Sequence, residues 1–174
     1  DAPSPRPVRK VNILLVDDHE ENLLAMEAVL ADLGQTLVKA PSGKAALKAL
    51  LDDDFAVVLL DVQMPEMDGF ETAAMVRARE RSRHTPIIFM TAISTGEPSI
   101  FKGYSIGAVD YILKPFSPEV LRAKVAVFVD LFLKTEQVKQ QAERLLRLEG
   151  RRHRRELAAV VAQRDRFFDL SLDL

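Results

Sequence analysis

Short apolar runs recur along the first two thirds of the chain, each closed by polar punctuation: VNILLV at residues 11–16, TLVKA at 36–40, FAVVLL at 55–60, PIIFMT at 86–91 and VDYIL at 109–113. Runs of this length bounded by turn formers read as strands, and a run without polar alternation reads as a strand buried on both faces. Helical spacing fills the gaps. Leu23, Leu24, Met26, Ala28, Val29, Leu30 and Leu33 make a wide apolar face, with Gly34 where a C-terminal cap belongs. Ser42 stands as N-cap of a second helix through Ala45, Ala46, Leu47, Ala49, Leu50 and Leu51, which Asp52, Asp53 and Asp54 bring to an end. Residues 70–83 form a third, with a charged outer face, RARER. Gly96, Pro98, Gly103 and Gly107 interrupt the next stretch, where a short, loosely held helix over 98–106 is predicted. Ser117, Pro118 and Glu119 open a fifth helix, with a capping hydroxyl, a proline at the first helical position and an acid in the first turn. Strands alternating with helices in this way argue an α/β fold: a parallel, doubly wound sheet whose right-handed crossovers cover both faces.

Composition mostly excludes. A chain of 174 residues, 48% hydrophobic and 29% charged, holds one ordinary domain plus something extra. No apolar run approaches the length of a membrane span, so no membrane association is expected. Residues 1–9 begin the polar, Pro-rich stretch DAPSPRPVRK, which reads as an N-terminal linker without a secretory core. With no Cys there are no disulfides and no thiolate metal sites, which agrees with a cytoplasmic protein. His19, His84 and His153 are scattered and suggest no zinc site. The net charge of −2 hides an asymmetry: from Lys134 onward there are 10 basic against 7 acidic residues, and before it 14 against 19.

The candidate chemistry sits where strands end. The first run stops at Asp17 and Asp18, the third at Asp61, the fourth at Thr91 and the fifth at Lys114. Singly, each has a plain alternative: caps for Asp17 and Asp18, a cap or turn residue for Asp61, a strand residue for Thr91, a solvated charge for Lys114. In a parallel sheet, however, all carboxyl ends lie on one edge, where ligands bind in open α/β folds. Crowded carboxylates repel unless a cation joins them. Mg2+ suits such a set, because it needs one or two carboxylates plus water and neither His nor Cys. A carboxylate there can also act as nucleophile toward a phosphoryl group, whose transfer asks mainly for positioning and charge neutralisation.

These motifs resemble the receiver domains of two-component response regulators, over residues 10–133. The acidic pair Asp17-Asp18, Asp61 in DVQMPEMDG, Thr91-Ala92 and Tyr111-Ile112-Leu113-Lys114-Pro115 carry the resemblance. It implies a five-stranded, flavodoxin-like sheet and a phosphoacceptor at Asp61. It further implies Mg2+ held by Asp18, Asp61 and the backbone carbonyl of Gln63, with Asp17 acting through water. Lys114 would contact the phosphoryl group and precede a cis Pro115, while Thr91 and Tyr111 would form the switch. The phosphoryl donor would be a histidine kinase or phosphotransfer protein. Two departures stand out: the spacing from Thr91 to Lys114 is one residue longer than the commonest in the family, and Gln63 and Ile93 occupy positions that tune dephosphorylation there.

Residues 134–169 contain no Pro and one Gly, so the fifth helix is expected to run on as one long helix. Val138, Ala142 and Leu145, then Leu157, Val160 and Phe167, follow helical spacing, with a slip of phase near Gly150. A lone helix with so narrow an apolar stripe buries little, so a parallel coiled-coil homodimer is expected. In the basic run from Arg151 to Arg155 flanking acids interleave, which favours a solvated face over nucleic-acid binding. Residues 170–174 end a stretch resembling the lead-in to a PAS sensor domain, as at the front of a longer hybrid protein with an output domain downstream. Two rivals remain: a phosphorylation-independent pseudo-receiver scaffold, and an aspartyl-phosphate phosphatase-like enzyme. The second asks for another Asp two residues after a first-strand nucleophile, and Asp17-Asp18-His19-Glu20 offers none.

Overall fold

The computed structural model describes residues 9–92, 105–107 and 110–172, with side chains as far as Arg166. Strands β1 (Asn12–Val16), β2 (Thr36–Ala40), β3 (Val57–Asp61), β4 (Ile87–Ala92) and β5 (Asp110–Lys114) form one sheet in the order β2-β1-β3-β4-β5. Every pairing is parallel. Burial follows the sequence pattern closely: the central β1, β3 and β4 are almost wholly buried, and the edge strands β2 and β5 only in part. This order places a topological switch point between β1 and β3, because the chain winds outward in opposite senses from them.

Helix α1 (Glu20–Leu30) buries Leu23, Met26 and Leu30, a narrower face than its apolar content suggests, and leaves Leu24 about half exposed. A single 3-10 turn, Ala31–Leu33, follows and ends on Gly34, whose φ of 68° is the left-handed conformation that glycine adopts without strain. Helix α2 (Gly43–Asp52) is capped as predicted, the Ser42 hydroxyl accepting from the Ala45 N–H. Helix α3 (Gly69–Ala78) begins with Asp68 accepting from the Glu71 N–H. It stops five residues before residue 83, where the charged pattern had placed its end.

Tertiary contacts explain that early stop. Arg77 turns its guanidinium to the carbonyls of Arg83, Thr85 and Gly107, and the buried Ser82 hydroxyl donates to the Val76 carbonyl. Burial pushes the Arg77 guanidinium below its ordinary pKa. Arg79 and Arg81 donate to the carbonyls of Leu47 and Leu51 in α2. The RARER run is therefore a set of carbonyl clamps rather than a solvated helix face.

Most of the helix expected over residues 98–106 lies outside the described residues; Ser105 and Ile106 are helical. The C-terminal helix, Pro118–Leu172, starts where Ser117-Pro118-Glu119 predicted. Here the Ser117 hydroxyl donates to the Glu119 carboxylate, and that carboxyl is held below its ordinary range first by its own backbone N–H and then by Ser117. The helix runs past residue 169, because Leu170, Ser171 and Leu172 include no residue that stops one.

Two compact units meet between Phe132 and Leu133. In the first, Leu14, Val16, Leu47, Leu50, Val58, Leu60, Phe70, Val76 and Phe89 belong to the core cluster, and Leu121, Val125 and Val129 of the C-terminal helix are also buried. The second unit is, among its described residues, helix alone. Val138, Leu145, Leu146, Leu148, Leu157 and Val160 are each more than half exposed there, and the helix passes through Gly150 without a break.

Candidate functional site

Strand register brings the polar ends together. Val16 pairs with Leu60, Asp61 with Met90, Thr91 with Leu113 and Ala92 with Lys114, so Asp17, Asp61, Thr91 and Lys114 reach the same edge of the sheet. Asp17 and Asp61 lie at the switch point between β1 and β3. Both are buried, as is Thr91.

One ammonium organises this edge. Lys114 Nζ donates to Asp17 Oδ2 and to Asp61 Oδ1, each at 3.0 Å, from positions 97 and 53 residues away in sequence. Burial raises the Asp61 carboxyl above its ordinary value, helped by the charges of Asp17 and Asp18 and opposed by Lys114. Burial works to lower Lys114, but its hydrogen bonds and charge pairing with Asp61 and Asp17 outweigh it and raise the ammonium. The pairing is unequal because a single cation serves a cluster of carboxylates. It favours the charged form of the lysine while leaving Asp61 short of compensation.

Asp17 is held from several sides. The His19 backbone N–H donates to its Oδ1 at 2.9 Å, and Asn22 Nδ2 reaches Oδ1 at 3.3 Å and Oδ2 at 3.1 Å. Asp17 is thus not the cap of α1; His19 holds that position, with no side-chain capping bond. Asp18 differs, since its buried Oδ1 accepts no hydrogen bond. His19 Nδ1 lies 3.2 Å from that atom and 3.4 Å from Asp17 Oδ1. An acceptor left without a donor beside further carboxylates is a place that suits a cation, so the donor set fits a divalent ion such as Mg2+.

Thr91 places its hydroxyl 3.5 Å from the Ala92 carbonyl. Tyr111 is half-buried with its ring 5.5 Å from that of Phe89, which in turn lies 5.0 Å from Phe70. Gln63 is exposed in the loop after β3, where Glu66 takes a φ of 66°. The Lys114-Pro115 bond is cis, as the resemblance implied. A cleft of about 470 Å³ opens beside Lys114 and Asp17, with Asn22 at its polar side and Met26, Met90 and Phe116 on its apolar walls.

Sequence reasoning missed Asn22 and His19. Their only signal was position, His19 at the N-cap and Asn22 in the first turn of α1, where a side chain can fold back onto the strand end.

Gly69 sets the shape of the acceptor loop. Its N–H donates to the Val62 carbonyl, and a Cβ built on it would stand 2.3 Å from the Asp61 carbonyl oxygen and 2.8 Å from Val62 Cα. Backbone atoms cannot give way there without moving Asp61. Gly69→Ala is expected to cost about 1–3 kcal/mol in urea denaturation, the usual range for overpacking. A variant as stable as the parent would show that the loop has slack.

Residues 13–126 match the response regulator receiver domain. Transcriptional regulatory protein RprY of Bacteroides fragilis is 40% identical over 116 residues, which are 67% of this chain and 48% of that protein. A probable cyclic di-GMP phosphodiesterase of Vibrio cholerae is 39% identical over 113 residues, covering 65% of this chain and 25% of that one. The sensor protein GacS of Pseudomonas syringae is 34% identical over 150 residues, 83% of this chain and 16% of its own length. The matched part therefore spans between about a sixth and a half of these relatives. Among solved structures, the chemotaxis protein CheY4 of Vibrio cholerae superposes with a TM-score of 0.64 at 31% identity, over 70% of this chain and 99% of that one. Sheet order, site geometry and these likenesses agree: the chain belongs to the response regulator receiver family of two-component signalling.

Proposed function

We propose that the chain is a phosphoacceptor module of a phosphorelay, taking a phosphoryl group on Asp61 from a phosphohistidine of a kinase or phosphotransfer protein. The observation that carries this reading is the Lys114 ammonium held 3.0 Å from both Asp17 and Asp61 at the switch point of the sheet. A carboxylate oxygen of Asp61 attacks phosphorus, the new P–O bond forms as the P–N bond breaks, and the imidazole nitrogen leaves with the electron pair. Lys114 neutralises charge on the phosphoryl oxygens, and Thr91, one strand over, offers a hydroxyl to them. Asp17, Asp18, Asp61 and the Gln63 carbonyl would hold Mg2+, which supplies further charge neutralisation when bound. Asn22 keeps Asp17 oriented and the cleft beside Lys114 admits the donor group. Tyr111, packed on Phe89, would answer movement of Thr91, and so pass the change to β5 and the C-terminal helix.

That helix, with its run of exposed aliphatic side chains, is read as a parallel coiled-coil homodimer that relays the change to an output domain in cis. Among the described residues no helix is long and apolar enough to cross a membrane. The test is intact mass after incubation with acetyl phosphate, with Mg2+ and with chelator, while light scattering follows size. Expected is a phosphoryl adduct only with the metal, on a protein of twice the chain mass. Absence of any adduct on a folded protein would favour the scaffold reading, and a monomer would remove the coiled coil.

A further inference from the structure

We infer that Arg77 is a latch on the switch, a positioning residue whose bond to the Gly107 carbonyl holds the chain before β5 in the resting arrangement, against the inward turn of Tyr111; this rests on the reading of Thr91 and Tyr111 as the switch. Arg77 Nη1 donates to the carbonyls of Arg83 at 3.0 Å and Thr85 at 2.6 Å, and Nη2 donates to that of Gly107 at 2.8 Å. Thr85 lies shortly before β4 and Gly107 shortly before β5, so one guanidinium ties the amino ends of both strands to the last turn of α3. Thr91 and Lys114 stand toward the other ends of the same two strands.

The two Nη1 bonds stay close to α3 and fix the plane of the guanidinium, which aims Nη2 at Gly107. Among the described residues no carboxylate pairs with Arg77, so carbonyl oxygens alone answer its half-buried charge, and losing one of the three is costly. Gly107 has a φ of 94°, and a Cβ built on it would stand 3.2 Å from Arg77 Nε, so a side chain there would push the guanidinium away. Ile106 and Tyr111, on either side of Gly107 in sequence, are both partly buried and packed against the same core cluster. A close-packed core has no spare room, so a ring that goes deeper at Tyr111 requires the chain before β5 to shift. As an edge strand β5 is paired with β4 alone, and the bond from Arg77 adds to a hold that the sheet provides on one side only.

The measurement uses the full chain carrying Tyr104→Phe, which leaves Tyr111 as the one tyrosine of a protein without Trp. Beryllium trifluoride, which together with Mg2+ forms a tetrahedral adduct on a carboxylate in the shape of an acyl phosphate, is titrated while Tyr111 emission is followed. Arg77→Gln is expected to tighten its binding on the order of fivefold, because the competent arrangement is then more populated beforehand. Gly107→Ala is expected to do the same. It leaves the core and the Arg77 bonds to Arg83 and Thr85 in place, so it decides the matter where Arg77→Gln does not fold. A staple that served stability alone would lower the urea midpoint and leave the affinity unchanged. A folded variant of either kind that binds the adduct former no more tightly than the parent would therefore overturn the inference. Binding that depends on Asp61 but leaves Tyr111 emission unchanged in the parent would remove the switch, and the latch with it. Equal binding to parent and Asp61→Asn, or binding to neither, would overturn the phosphoacceptor reading itself.

Discussion

Asp61→Asn is expected to abolish the phosphoryl adduct and, at neutral pH, to make the domain more stable. The first effect follows from loss of the nucleophile: an amide nitrogen or oxygen does not replace a carboxylate in forming the acyl phosphate. The second follows from burial. The folded domain holds the Asp61 carboxyl above its ordinary value of 3.8, mainly because the charged form is desolvated. Between that ordinary value and the raised one the folded state binds more protons than the unfolded chain, so this group's contribution to stability falls as pH rises and stays low above the window. An uncharged amide removes the cost, and it can still accept from Lys114. The gain is on the order of 1 kcal/mol, or roughly 3–6 °C in a domain of this size. Thermal unfolding of parent and variant at pH 7 and near pH 4 checks it: the variant unfolds higher at pH 7, and the gap narrows in acid. A variant that melts lower at pH 7 would mean that Lys114 outweighs the desolvation. The lysine acts in another range. Its raised pKa makes its own contribution complete below 10.5 and lost only as pH climbs through the folded value.

Phe89→Ala should produce the largest loss of stability. Phe89 is fully buried on β4 and pairs in register with Leu60 on β3 and Tyr111 on β5. Its ring sits between those of Phe70 and Tyr111. Truncating a buried aromatic costs about 3–5 kcal/mol, because the transfer energy is lost and a cavity stays behind. Set against a total of about 5–15 kcal/mol for a typical domain, that leaves a substantial unfolded fraction. Urea denaturation should show a lower midpoint at an unchanged slope. A cost under about 1 kcal/mol would mean that Phe70 and Tyr111 collapse into the space. The same position bears on signalling, since Phe89 is the surface against which Tyr111 rests.

The positions of the strands and most of the helices were legible in the chain. β1, β3 and β4 announce themselves because both of their faces are covered, so no polar residue interrupts ILLV, FAVVLL or PIIFM. Ser42 and Gly34 act locally and were readable for that reason: each satisfies backbone groups within a few residues of itself. The end of α3 was not readable. Arg77, Arg79 and Arg81 look like an exposed charged stripe in sequence, yet their guanidinium groups find carbonyls on other segments, 6 to 32 residues away. Helical periodicity carries no information about such partners.

The site divides along the same line. Its members could be named from the sequence, because a carboxylate or lysine that ends a buried strand of a parallel sheet must arrive at the ligand edge, whatever its neighbours are. How they share charge could not. Lys114 chooses Asp17 and Asp61, Asn22 and the His19 N–H take the remaining valences of Asp17, and Asp18 keeps an oxygen without a donor. Those are questions of distance across strands and through the segment joining β1 to α1, settled by sheet register and by the bonds that His19 and Asn22 make to Asp17. Local pattern and chain order thus determined the elements and the cast of residues; only tertiary packing, acting between groups far apart in sequence, decided which carboxylate is neutralised and which is left to seek a cation.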